Sequence, residues 1–147
     1  MSYHTWHTYG YGIKTSDITD LTADKLKEFI HLAPHYENTF IEWLKNCEIT
    51  EPTLEDYFGY DENDCYGLAG IMKEVIFECE GIDFTACDDF DGLQYLLYEQ
   101  SYPWHLNDID KTLTPEKVSD IIKKYLAYLT DKEIEIEIGY FDPANGG

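Results

Sequence analysis

Residues 2–13 alternate in a way that predicts a strand. Tyr3, Thr5, His7, Tyr9, Tyr11 and Ile13 would share one face, and His4, Trp6, Thr8, Gly10 and Gly12 the other. The two glycines point to a bulge or to a close approach of another backbone. The period then changes. Thr22 has the chemistry of a helix cap, and Leu26, Phe29, Ile30 and Leu32 supply an apolar side that Pro34 interrupts. A second helix is expected over about 35–45, where Tyr36, Phe40, Trp43 and Leu44 recur at helical spacing. Pro52 and Thr53 open a short third helix that ends near Gly59.

Leu68, Ile71, Met72, Val75, Ile76 and Cys79 predict a buried helix, stopped at Gly81. Two strands, 82–87 and 93–99, are expected around a turn at 88–92. Thr114 followed by Pro115 is a helix start, and Val118, Ile121, Ile122, Tyr125, Leu126 and Leu129 form the apolar face of that helix. Strict alternation over 133–140 predicts a last strand, and 143–147 a frayed tail. The order is strand, helices, hairpin, helix, strand. It predicts an α+β fold: a mainly antiparallel sheet of about four strands with helices packed on one face. The 147 residues fit one domain, 1–147, with a core that needs neither metal nor disulfides.

Charge changes the picture more than composition does. Thirty acids face ten bases, every base is Lys, and the net charge is −20. Such a field repels nucleic acid and anionic membrane and draws the chain towards basic surfaces. Lys, Ile, Tyr and Asn in place of Arg point to an AT-rich coding bias, as in a low-GC bacterium or its phage. The N-terminal residues lack the positive and apolar regions of a secretion signal, and no apolar run reaches membrane-spanning length. Cys47, Cys65, Cys79 and Cys87 show no paired spacing. A cytoplasmic protein with reduced thiols, and no cofactor, is the expectation.

The acids cluster. Residues 46–110 hold seventeen acids and one base, Lys73. Tyr57, Phe58, Tyr60 and Tyr66 are interleaved with them, and Tyr is a favoured contact residue. Glu133, Glu135 and Glu137 would share one strand face at about 6.6 Å spacing, close to the advance of every second phosphate along DNA. Asp17, Asp20, Asp24 and Glu28 would line a helix that began early enough. The expected partner-binding residues are Glu48, Glu51, Glu55, Asp56, Tyr57, Tyr60, Asp61, Glu62, Asp64, Asp88, Asp89 and Asp91.

Several familiar sites almost match. Gly92 set at position 6 of a calcium loop places Asp89 and Asp91 correctly, but puts Cys87 and Tyr98 where acids are required. A hairpin turn accounts for the stretch better, with only adventitious binding of a divalent ion to Asp88, Asp89 and Asp91. Asp61, Asn63 and Asp64 read as a polar turn. His4 and His7 point to opposite strand faces, Pro34 separates His31 from His35, and His105 follows Trp104. None of these makes a metal site. Cys79 is expected in the core. Acids near Cys65 and Cys87 should raise those thiol pKa values.

These readings favour an acidic protein-interaction module. Its concrete form is a phage or mobile-element inhibitor, of anti-CRISPR or anti-restriction type, that occupies the nucleic-acid-binding surface of a basic partner. An immunity or antitoxin-like neutraliser of a basic nuclease has the same chemistry. A small Cys- or His-dependent enzyme is the alternative from another class. Trp6, Trp43 and Trp104 are candidates for a homodimer seam.

Overall fold

The computed structural model describes residues 5–60, 66–99 and 113–146. It has the expected α+β architecture. Strands β1 (Thr5–His7) and β2 (Gly10–Lys14) lead into helices α1 (Ala23–Ile30), α2 (Pro34–Asn46), α3 (Leu54–Phe58) and α4 (Gly67–Glu80). A hairpin follows, β3 (Thr85–Asp88) and β4 (Gln94–Tyr98), then helix α5 (Pro115–Leu129) and strands β5 (Gly139–Phe141) and β6 (Ala144–Gly146). The main sheet runs β3-β4-β2-β5, antiparallel throughout, and β1 and β6 form a separate antiparallel pair.

The helix signals were local and hold. Thr22, Thr53 and Thr114 each cap a helix by accepting from the backbone N–H three residues on. Thr53 and Asp56 complete a reciprocal capping box. Pro34 opens α2 as its first residue, where a missing N–H costs nothing. Gly81 ends α4 in the left-handed region at φ 72°.

Ile13 pairs with Leu96, and Leu96 with Ala86, so these side chains share the sheet face under the helices. Ile13 and Leu96 join one core with Phe29, Ile71, Val75, Ile122 and Leu126. The opposite face is covered too. Tyr95 and Leu97 are buried there, outside that core, and Tyr95 packs on Phe141 with ring centroids 5.6 Å apart. Tyr95, Leu96 and Leu97 are therefore apolar in succession because β4 is covered on both faces. The glycines of β2 do mark a close approach. A Cβ on Gly10 would lie 2.8 Å from the Tyr98 carbonyl oxygen, and one on Gly12 would overlap the Leu96 carbonyl.

Three expectations are corrected at the chain ends. The first strand breaks after His7, where the Thr8 N–H donates to the Pro143 carbonyl and the chain changes partner sheet. Within the expected tail, residues 144–146 form a strand paired with β1. The alternating stretch 133–140 is not one strand. It starts as a 3-10 turn, Glu133–Glu135, and reaches the sheet only at Gly139. Thr130 and Asp131 are fastened to Asp20 directly after α5, and the chain turns there before it reaches β2. Ile136 is buried while Ile134 is 96% exposed, so the ladder of Glu133, Glu135 and Glu137 on one strand face does not form.

Candidate functional site

The acids divide into those that hold the fold together and those that do not. Asp20 is the strongest fastener. Its carboxylate accepts from Thr130 Oγ1 (2.5 Å), the Asp131 N–H (3.0 Å) and Lys25 Nζ (3.3 Å). The Thr130 and Asp131 hydrogen bonds hold its pKa far below the ordinary carboxylate value. Glu78 caps α2 from a distance of 43 residues, accepting from the N–H groups of His35 (2.9 Å) and Tyr36 (3.0 Å). Glu80 accepts from Lys124 Nζ (2.9 Å) and Tyr125 OH (2.8 Å). Sequence reasoning missed all three roles, since every partner but Lys25 is remote along the chain. The row of Asp17, Asp20, Asp24 and Glu28 does not exist as a helical face, because α1 begins at Ala23.

Several expected contact residues are likewise structural. Asp56 belongs to the capping box, its Oδ2 accepting from the Thr53 N–H at 2.8 Å. Asp89 closes the hairpin. Its Oδ1 accepts from the N–H groups of Asp91 (2.9 Å) and Leu93 (3.0 Å), and its Oδ2 from Tyr95 OH (2.9 Å). Burial raises the Asp89 pKa, but these bonds outweigh it and the net shift is downward. The Tyr95 hydroxyl is pushed up to about 12 by burial and by that carboxylate. Asp88 is half-buried and Asp91 is exposed. Among the described residues no group of acids, His and Cys could hold a metal ion.

Tyr57 and Tyr60 are not on the surface. They are 4% and 6% exposed and pack with Phe40, Tyr36 and Trp43. Their rings belong to the core, so the interleaving of rings and acids reflects an amphipathic segment. Asp61, Glu62 and Asp64 lie outside the described residues, as do Cys65, His4, Trp104 and His105.

Glu48, Glu51 and Glu55 remain exposed, and none is ion-paired among the described residues. Asp24, Glu28 and Glu42 share both properties. These acids belong to α1, α2, α3 and the α2–α3 connection. A groove of about 600 Å³ opens between the same elements. Ile30, Phe40, Leu44, Ile49 and Pro52 supply its apolar lining, Asp24, Glu37 and Glu51 its carboxylates, and Lys27 and Lys45 its two bases. Burial raises the pKa of Tyr57 in this groove, and the charges of Asp24 and Glu37 raise it further. The groove joins residues from α1 to α3, which no local spacing rule in the sequence connects.

Glu48 stands apart. Helix α2 ends in a Schellman motif: the Glu48 N–H donates to the Lys45 carbonyl (3.1 Å) and the Ile49 N–H to the Leu44 carbonyl (2.9 Å). That motif wants glycine at the left-handed position. Here Glu48 occupies it at φ 58°, and is the one described non-glycine residue with positive φ. It also sets a carboxylate at the negative end of the helix dipole.

The thiols are placed otherwise than expected in part. Cys79 is exposed, with Sγ donating to the Leu32 carbonyl at 3.2 Å. Cys47 is exposed as well. Burial pushes the Cys87 thiol up to about 11, with Glu99, Asp88 and Asp89 adding to the shift and a hydrogen bond with Thr8 opposing it. The direction agrees with the expectation from neighbouring acids, although burial is the larger cause.

Compared with protein families, curated proteins and solved structures, the chain matches none. No helix among the described residues is long and apolar enough to cross a membrane.

Proposed function

We propose that the protein is an acidic interaction module whose helical side, α1 to α3, receives a basic amphipathic segment of a protein partner. The observation that carries this reading is Glu48. A left-handed conformation costs a non-glycine residue about 1–2 kcal/mol. Placing it at a helix C-terminus adds an electrostatic penalty. The left-handed turn itself serves the helix end by closing the Schellman motif, but glycine would close it without strain, and the Glu48 side chain makes no ion pair among the described residues that would offset the cost. A strained side chain where glycine would serve the fold better is a marker of function. The groove beside it offers an apolar lining with three carboxylates, Asp24, Glu37 and Glu51, which outnumber its two bases, Lys27 and Lys45.

The partner class is a basic nucleic-acid-binding protein, such as a CRISPR effector or a nuclease, because the chain's field of −20 steers it to such surfaces. Occupation of a nucleic-acid site is the inhibitory form of that reading. It rests on charge and groove shape. Regular phosphate-like rows no longer contribute, since the two expected rows are not formed.

The test is a titration followed by amide chemical shifts. The probe is a Lys/Leu peptide of amphipathic helical pattern, with a peptide of the same composition and scrambled order as control. The amphipathic peptide should bind more tightly and move the amides of Ile30, Leu44, Ile49 and Thr50. Equal binding of both peptides, with shifts scattered over the acidic surface, would reduce the interaction to bulk charge and refute the groove.

A further inference from the structure

A second pocket lies away from the groove and has a different chemistry. Its volume is about 350 Å³, and Tyr9, Tyr11, Tyr98 and Tyr140 line it with Pro115 and Val118. The rings are set at crossed angles. Tyr9 and Tyr140 stack at 5.6 Å and 10°, while Tyr11 meets Tyr140 edge-on at 5.1 Å and 74°. Tyr9 and Tyr140 are 61% and 59% exposed. Backbone pairing builds the arrangement. Tyr11 sits opposite Tyr98 on one side and Tyr140 on the other, so three strands bring three rings into one row. Gly10 lines the same pocket without adding a side chain.

Tyr11 and Tyr98 are half-buried against the core, Tyr98 edge-on to Phe84, but Tyr9 and Tyr140 stand out beside them with no such packing role. Large exposed rings contribute little to folding while they remain wet. Aromatic faces carry negative potential, and a cage of them binds alkylated ammonium or guanidinium groups. The setting favours such a ligand. No Lys lines the pocket, and the whole chain carries −20. Glu116 follows Pro115 and Asp142 lies two residues beyond Tyr140.

One feature opposes a cation. The start of α5 borders the pocket, and a helix N-terminus favours anions. Here that end is already answered. Pro115 has no N–H, the Thr114 hydroxyl accepts from the Lys117 N–H at 3.3 Å, and Glu116 places a carboxylate in the first turn. The rings therefore set the preference.

We propose that this tyrosine pocket is a binding site for a soft organic cation, a quaternary ammonium group. The proposal does not depend on the groove, whose residues are separate.

The test follows the tyrosine ring resonances of the full chain. Choline and its uncharged isostere 3,3-dimethylbutan-1-ol are the paired probes, with acetyl-trimethyllysine methylamide as the side-chain form of the same cation. Choline, the lysine derivative or both should shift the rings of Tyr9, Tyr11, Tyr98 and Tyr140 saturably, and the neutral isostere should bind at least about fivefold more weakly. The tighter of the two cations tells a free ligand from a partner's side chain. Tyr140→Ala should weaken cation binding by at least about fivefold, and Tyr140→Phe, which keeps the ring, should nearly preserve it. Thermal unfolding of each variant shows that the fold is retained, and Tyr9→Ala supplies a second exposed ring if one variant is unstable. Equal binding of the neutral isostere, ring shifts with inorganic phosphate in place of cations, or no ring shifts at all would each overturn the proposal.

Discussion

Replacing Glu48 with glycine should make the protein more stable and worse at binding. The residue sits at φ 58° in the position of a Schellman motif that glycine normally fills. Releasing a non-glycine side chain from that region returns about 1–2 kcal/mol. The added freedom of glycine in the unfolded chain takes back about 0.5–1 kcal/mol. The net expectation is a gain centred near about 0.7 kcal/mol and no more than about 1.5, with a small further gain from removing a carboxylate at the helix C-terminus. For a chain of this length that raises Tm by roughly 1–4 °C. Urea unfolding followed by tryptophan fluorescence reads the same quantity. Glu48→Ala is the control. It removes the charge but keeps Cβ and the strain, so it should gain less than Glu48→Gly. A neutral or destabilising Glu48→Gly would refute the strain argument. Stabilisation with undiminished partner binding would refute the functional reading of that strain.

Tyr60→Ala should behave as a core truncation, costing about 3–5 kcal/mol in urea unfolding, because Tyr36, Phe40 and Trp43 all contact its ring. A cost below about 1 kcal/mol would return Tyr60 to the surface. Tyr125→Phe should cost about 1.5 kcal/mol at neutral pH, since it removes a hydrogen bond to an ionised carboxylate that is still 23% exposed. Burial raises the Glu80 pKa, but the bonds from Lys124 and Tyr125 bring it net below its ordinary 4.5. The stabilisation from Glu80 is therefore present above about that pH and is lost as pH falls through the lowered value. The Tyr125→Phe variant should show a shallower loss of stability in acid, checked by unfolding at pH 3 to 7. Cys87, with its thiol near 11, should react with iodoacetamide at neutral pH far more slowly than a free-thiol standard, as peptide mass mapping would show; equal rates would contradict its burial.

The sequence was most legible where the signal is local. Thr22, Thr53, Thr114, Pro115 and Gly81 declare helix ends by their own chemistry, and the structure puts every one of them where that chemistry directs. The hairpin around Asp89 was legible for the same reason. The stretch 133–140 misled because alternation reports a preference for two unlike faces, not the presence of a neighbouring strand to pair with. Its first half follows the anchored end of α5 and turns away from β2. The segment 51–60 misled in another way. Glu51 and Glu55 are exposed and Tyr57 and Tyr60 buried, so mixed rings and acids recorded the two sides of one amphipathic segment. The fastening acids Asp20, Glu78 and Glu80 were illegible because, apart from Lys25 beside Asp20, their partners lie 42 to 111 residues away. Glu48 was illegible as well: Asn46 is the residue at this helix end whose chemistry suits a left-handed turn, yet the turn falls two residues later, on Glu48.

The central claim is that the helical side, rather than net charge alone, recognises a basic partner. The most direct measurement compares two variants of equal charge as immobilised bait for a nuclease-treated lysate from a low-GC host with CRISPR and restriction systems. One carries Asp24→Asn, Glu48→Gln, Glu51→Gln and Glu55→Gln. The other carries Asp88→Asn, Asp91→Asn, Glu116→Gln and Glu135→Gln. The account predicts that a basic nucleic-acid-binding protein held by the unaltered chain is also held by the second variant and lost from the first, with retention falling as salt is raised. Equal retention or equal loss by the two variants would contradict it.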